Sequence, residues 1–216
     1  MYRRYFKRLI DVVVAILALV CLSPLLTVVA LWLHFANKGA GAFFTQKRVG
    51  KDNRVFRLVK FKSMSDERDN EGVLLPDSER LTKAGKFVRK TSLDELPQLI
   101  NVLKGDMSLI GPRPLTLGYY HVFDSEQLRR HEVRPGITGW AQVHGRALCK
   151  LSLKFKYDVW YVDNCSLKTD ILILYKTVCT VFKRESIGDG TETMSSIDDL
   201  GLDAKIEEYY TTHPRE

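Results

Sequence analysis

From Val12 to Leu33 the chain runs for 22 residues without a formal charge, "VVVAILALVCLSPLLTVVALWL". As a helix rising about 1.5 Å per residue, such a stretch reaches across a hydrocarbon core about 30 Å thick. Two features argue against a plain spanning helix. Pro24 stands near the centre, where it removes a backbone donor and frees the carbonyl of Val20; the neighbouring Ser23 hydroxyl can satisfy part of that loss. Both flanks are also basic: Arg3, Arg4, Lys7 and Arg8 precede the stretch, and residues 36–62 carry eight Lys/Arg against the single Asp52. A spanning helix would place one basic flank outside, against the positive-inside tendency. A helix-break-helix hairpin dipping into one leaflet satisfies both flanks, so the sequence predicts a re-entrant, monotopic anchor over residues 1–38. The competing readings are a Pro-kinked spanning helix and a cleaved signal peptide. Against the latter, the stretch exceeds the usual apolar core of about 7 to 15 residues, and Asp11 stands at its start.

The charge is unevenly spread. Residues 185–216 hold nine Asp/Glu against two Lys/Arg, which leaves residues 1–184 with about +14, the difference between +7 for the whole and −7 for the tail. A basic body implies an anionic partner: nucleic acid, a membrane surface or a phosphorylated small substrate. Nucleic acid is the weakest of these, because the cations carry no recognisable base-reading motif and the anchor confines the chain to a membrane. Cys21, Cys149, Cys165 and Cys179 lack Cys-x-x-Cys spacing and any His at zinc-site distance, and read as reduced apolar filler.

With 45% hydrophobic and 27% charged residues the chain can bury a core. The run "FFTQKRVGKDNRVFRLVKFKSM" reads as a β-hairpin turning at residues 50–53. Residues 66–80 read as a polar loop, 81–90 as a helix, and the segment after Pro97 as a short helix ended by Gly105. "RPGITGWAQVHGR" reads as turn and strand, and 152–163 and 167–184 as helices. The second of these has apolar residues at helical spacing, to pack on the core or on a membrane surface. The predicted class is α+β: the anchor, then a small mostly helical catalytic domain with a hairpin over 39–185, then an acidic tail over 186–216.

The stretch "SLDELPQ" (92–98) sets Asp94 beside Glu95. Ser92 with Glu95 three residues on matches a capping box. Pro97 disturbs that reading, because its missing N–H would cost a helical bond; if Pro97 instead opens the helix, the acids lie just outside it. The surroundings favour chemistry. Arg89 and Lys90 precede the pair, Arg113 sits between two prolines in "GPRP", and Lys60 and Lys62 close the hairpin run. Cations keep a carboxylate ionised and clamp phosphates, and an ionised Asp can attack phosphorus. Glu95 can then hold Mg²⁺, which takes one or two protein carboxylates plus phosphate oxygens and water.

"TKAGKFVRKTSLDELPQLINVLKGDMSLIGPRPL" (82–115), together with the hairpin run, "RPGITGWAQVHGR" and "KYDVWYVDNCSLKTDILIL", strongly resembles the bacterial sugar transferases known as monotopic phosphoglycosyl transferases, over about Lys7 to Glu185. Lys7, Arg8 and Asp11, with the Ser23-Pro24 pair, resemble that family's membrane hairpin. The resemblance implies transfer of a sugar 1-phosphate from a UDP-sugar to a polyprenyl phosphate such as undecaprenyl phosphate. UMP is released and glycan assembly begins, at the cytoplasmic face of a bacterial inner membrane. It implies that Asp94 attacks the β-phosphate, that Glu95 binds Mg²⁺, and that Arg89, Arg113, Lys60 and Lys62 hold phosphates. Gln142, Arg146 and Asp158 in the later motifs are implied nucleotide-sugar contacts. Lys62 stands where the family often has Arg, and His144 where it often has Asn. The four-helix membrane region of larger relatives is lacking, which suits a minimal form. The acidic tail matches no motif, leaving disorder, a part in sugar choice or the pairing of two chains as its readings.

Overall fold

The computed structural model describes residues 1–145, 149–183 and 197–213. The apolar stretch forms one helix, α1 (Lys7–Ala36), which contains Pro24. No break between two helices occurs at Ser23-Pro24, contrary to the helix-break-helix expectation. The physical reason is local repair. Ser23 Oγ donates to Val20 O at 2.8 Å, and that carbonyl is the one Pro24 leaves without a partner. The catalytic part then follows: β1 (Phe43–Val49), β2 (Val55–Phe61), α2 (Asp77–Arg80), α3 (Lys83–Lys90), α4 (Gln98–Lys104), β3 (Ser108–Ile110), α5 (Leu117–Val122), α6 (Ser125–Leu128), β4 (Gly136–Thr138), α7 (Trp140–His144), α8 (Leu151–Asp163), α9 (Leu167–Lys183) and α10 (Leu202–Thr212). This mixture of helices with a small antiparallel hairpin agrees with the predicted α+β class.

α1 lies along the rest of the molecule. Asp11, Ala15, Ala18, Leu22, Leu26, Val29, Leu33 and Ala36 are buried or half-buried at helical spacing, while Leu9, Val13, Leu17, Val20, Val28 and Leu31 on the other side are open. The first half packs Ala15, Ala18 and Leu19 against Phe56 and Leu58 of β2, Leu99 and Val102 of α4, and Met107. The second half packs Leu26, Val29 and Leu33 against Phe61, Ala84 and Val88. Polar groups fasten its start. Lys7 Nζ and the Tyr2 hydroxyl both donate to Asp170 Oδ2, at 2.7 and 2.6 Å, and Tyr161 donates to Asp170 Oδ1 at 2.7 Å. Arg8 donates to the last carbonyls of α4, Val102 O at 2.6 Å and Leu103 O at 3.0 Å, where a cation complements the helix dipole. Asp11 accepts from Leu109 N at 3.2 Å. Lys7 and Arg8, read from the sequence as part of a basic flank, therefore serve internal contacts.

β1 and β2 pair antiparallel, Phe43 opposite Phe61 and Val49 opposite Val55. Asp52 and Asn53 take the turn at φ 54° and 61°, a region these residues tolerate better than most. His131, neutral because burial and then Arg130 press its pKa down to about 4, pairs through Nδ1 with Asn53 Oδ1 at 2.9 Å. Fully buried Asn101 ties α4 to β2, accepting from Val59 N at 3.0 Å and donating to Arg57 O at 2.8 Å.

β3 and β4 pair in parallel, with Ser108 opposite Gly136. A Cβ on Gly136 would fall 2.0 Å from Gly111 N, so this crossing requires glycine. The segment read as strand after Thr138 is the short helix α7. Within the acidic tail, α10 packs on α5 so tightly that a Cβ on Gly118 would meet Ile206 at 2.8 Å. Ile197 and Leu202 are buried with Tyr119, Leu151 and Phe155.

Candidate active site

The local fold of "SLDELPQ" follows from its proline. Ser92 adopts the left-handed conformation at φ 55°, and its side chain makes no cap. Leu93–Glu95 form a single 3-10 turn, and Pro97 stands immediately before α4. The capping box does not form; the two acids sit on their own turn outside α4, closer to the alternative in which Pro97 starts the helix.

The two adjacent carboxylates have different surroundings. Glu95 Oε1 accepts from Arg113 at 2.6 Å and from Lys60 Nζ at 3.0 Å, whereas its Oε2 makes no hydrogen bond among the described residues. Burial works to raise the Glu95 pKa, but the two cations outweigh it and hold the carboxyl at about 2. Asp94 has only the Lys60 ammonium, 3.9 Å from Oδ2, and makes no hydrogen bond among the described residues. Its pKa is raised by burial and by Glu95, against the opposing pull of Lys60, Arg113 and Arg89. One carboxylate is thus clamped, and its neighbour keeps its oxygens uncommitted at a site where its side chain is 14% exposed.

The substitution Lys60→Met is expected to move the acid limb of the kcat/KM profile to higher pH. The reason is that Lys60 is the strongest influence lowering the Asp94 pKa, and Asp94 would have to be ionised to attack phosphorus as the resemblance implies. The stability effect has a defined window. Glu95 falls from its ordinary 4.5 to about 2 on folding, so its clamp contributes stability above 4.5 that is lost as pH falls towards 2. Acid-unfolding curves of the Lys60→Met variant, with less of that contribution to lose, check the second point; pH–rate profiles check the first.

Of the remaining predicted residues, Arg89 lies in the last turn of α3, donates through Nε to Ser63 Oγ at 2.8 Å, and adds its charge to the field at Asp94. Lys62 turns away, bonding Ala40 O at 3.1 Å and pairing with Asp66. Asp158 of α8 is buried against Arg130 at 2.7 Å, and the same Arg130 nitrogen donates to Arg113 O at 2.7 Å. Through Arg130, Asp158 is linked to the loop that carries Arg113. Gln142 of α7 has its amide nitrogen and oxygen buried without hydrogen-bond partners among the described residues. Arg146 lies outside the described residues. Lys60, Arg89 and Arg113 therefore gather at the dyad; Lys62 and Asp158 do not touch it.

Beside the dyad opens a cleft of about 340 Å³ whose lining includes Lys60, Arg113, Gln98, Thr116, Tyr119 and Arg48. Arg48 is not among the residues singled out from the sequence. Its signal is the period-two alternation of β1, which puts Gln46 and Arg48 on one face. Tyr119 donates to Asp203 of α10 at 3.1 Å, so the tail braces the wall of this cleft.

The sequence profile of the bacterial sugar transferases matches residues 2–184. An uncharacterized sugar transferase of Bacillus subtilis, EpsL, is 51% identical over 183 residues, covering 84% of this chain and 89% of that protein. An Aeromonas hydrophila protein named UDP-N-acetylgalactosamine-undecaprenyl-phosphate N-acetylgalactosaminephosphotransferase is 44% identical over 185 residues, 82% of this chain but 44% of its own length. A Klebsiella pneumoniae protein named UDP-glucose:undecaprenyl-phosphate glucose-1-phosphate transferase is 39% identical over 191 residues, 84% of this chain and 41% of its own length. The chain thus spans most of the Bacillus relative and less than half of the other two. A profile covering most of the chain, and relatives this similar, show that it belongs to the bacterial sugar transferase family.

Proposed function

We propose that this chain transfers a sugar 1-phosphate from a UDP-sugar to a polyprenyl phosphate through a covalent intermediate on Asp94. The observation that carries the reading is the asymmetry of the dyad: Glu95 is clamped, and Asp94 beside it makes no hydrogen bond among the described residues. In the first step an Asp94 oxygen bonds to the β-phosphorus and the bond from that phosphorus to the α–β bridging oxygen breaks, releasing UMP. In the second, an oxygen of the lipid phosphate attacks the same phosphorus and Asp94 departs as a carboxylate. Lys60, Arg89 and Arg113 surround the site with positive charge that offsets what accumulates on the phosphoryl oxygens. Donor and acceptor classes are supported by the names of the Aeromonas and Klebsiella relatives.

The residues present also suit Mg²⁺. Glu95 Oε2 and both Asp94 oxygens accept no hydrogen bond among the described residues, and this ion asks for only one or two protein carboxylates when a substrate supplies phosphate oxygens. When bound, it would neutralise phosphate charge. Assaying UMP against UDP release from a panel of UDP-sugars, with undecaprenyl phosphate and Mg²⁺, tests the reaction; UDP as the sole nucleotide product would replace it with a glycosyltransferase.

The same proposal places α1 in one leaflet, with the dyad at the cytoplasmic face of a bacterial inner membrane. Its support is that both halves of α1 pack on the catalytic part while a broad apolar face, including Leu9, Val13, Leu17, Val20 and Val28, stays open. A helix with both ends on one domain keeps both flanks on that domain's side. Single cysteines at positions 3 and 40, introduced after the four native cysteines, Cys21, Cys149, Cys165 and Cys179, are replaced, are expected to label from the same side of sealed vesicles; labelling from opposite sides would rule out the one-leaflet placement.

A further inference from the structure

Arg48 is a cation without a counter-charge among the described residues. Its NH2 donates to Gln46 Oε1 at 2.6 Å, its NH1 reaches Pro114 O at the long distance of 3.4 Å, and its Nε is buried with no partner among the described residues. No carboxylate lies within ion-pair distance of it among the described residues, whereas Arg113 and Lys60 in the same cleft share Glu95. Burial, and then repulsion from Arg113, lower the Arg48 pKa to about 10. A half-buried guanidinium whose Nε is sealed from water with its donor unused is costly unless something anionic completes it. The cleft supplies room for that anion. Its lining combines Arg48 with Lys60, Arg113, Gln98 and Thr116, and it has about 340 Å³ to fill.

We propose that Arg48 is a phosphate-binding residue of this cleft, holding a phosphate group other than the one Asp94 attacks. This rests on the reaction given above, which brings two such groups to the site: the α-phosphate that leaves in UMP and the phosphate of the lipid acceptor. Arg48 is joined to the chemistry through the backbone, since its NH1 meets the carbonyl of Pro114, the residue after Arg113. Its fork of N–H donors matches a phosphate, and a Lys at this position would offer charge without that geometry.

The test uses the full-length chain in detergent, as wild type, Arg48→Gln and Arg48→Lys. Binding of UMP and of uridine is measured by calorimetry, and the KM for undecaprenyl phosphate by UMP release. If the nucleotide phosphate is the ligand, Arg48→Gln weakens UMP binding about tenfold or more and leaves uridine unchanged. If the lipid phosphate is the ligand, the lipid KM rises by a similar factor and UMP binding holds. In either case Arg48→Lys recovers part of the loss, and the melting temperature of Arg48→Gln changes little, because two side-chain hydrogen bonds but no ion pair are lost. Unchanged UMP affinity and unchanged lipid KM in Arg48→Gln overturn the proposal while leaving the reaction intact. A lowered melting temperature with uridine and UMP weakened equally overturns it in favour of a structural role. A wild-type chain that binds UMP but releases none from any UDP-sugar overturns the reaction itself, and the UMP and uridine comparison then still judges Arg48.

Discussion

Asp94→Asn is expected to reduce UMP release by roughly a thousandfold or more, because an amide lacks the anionic oxygen that would bond to phosphorus. The melting temperature should hold. Asp94 makes no hydrogen bond among the described residues that the substitution would break, and burial already disfavours its charge. UMP binding should also persist, since the cations of the cleft remain. The substitution further separates two mechanisms. If wild type, given a donor labelled in the sugar and no lipid, retains label on the protein, that label is an acyl phosphate that hydroxylamine removes, and Asp94→Asn retains none. More than a tenth of wild-type turnover in a folded Asp94→Asn would remove this residue from the role of nucleophile.

Asp158→Ala is the second large effect, on stability. Its carboxylate is buried against Arg130, whose guanidinium lies 5.7 Å from the centre of the Phe123 ring and 5.4 Å from that of Phe155. Removing the acid strands a charge between two rings. Breaking one side of such a pair costs about 3–5 kcal/mol, which in a chain of this size lowers Tm on the order of 10 °C. Turnover should fall too, because Arg130 also holds the carbonyl of Arg113. Replacing both partners, Arg130→Met with Asp158→Leu, should recover much of the stability lost by Asp158→Ala. An unchanged Tm with a raised KM for the UDP-sugar would return Asp158 to the direct nucleotide-sugar contact that the family resemblance implied.

The parts legible in the sequence were those with strong local rules. Two β-type runs around "GKDN" specified the hairpin, because Asp52 and Asn53 accept the backbone the turn needs. The apolar spacing and punctuation of 152–163 and 167–184 marked α8 and α9. Other features depend on partners distant in sequence. β3 and β4 are three residues each, too short to show a period, and they pair across 28 positions through a glycine crossing. α10 hides in an acidic tail because a few apolar residues, Ile197, Leu202 and Ile206, suffice to seat it once α5 and α8 are in place. At the site, "SLDELPQ" announced its pair of acids, yet which acid would be clamped depended on where Lys60 and Arg113 arrived. Asp158 and Lys62 show the converse, since a charged residue in a promising motif can be committed elsewhere by one neighbour.

Under the proposed placement of α1 in one leaflet, its packing decides how the site is held relative to the bilayer. Its side chains belong to two of the hydrophobic clusters that also contain Phe56, Leu58, Phe61, Val88, Leu99 and Val102, so the catalytic part is built directly on the helix. A domain on a flexible leash samples a range of heights above a surface and must wait for its acceptor to come within reach. Here the helix shares its hydrophobic clusters with the strand and helices next to the dyad, so no leash lies between them. With α1 in one leaflet as proposed, the depth at which it floats, a matter of lipid thickness and its open apolar face, would set how far Asp94 stands from the plane of the lipid phosphates.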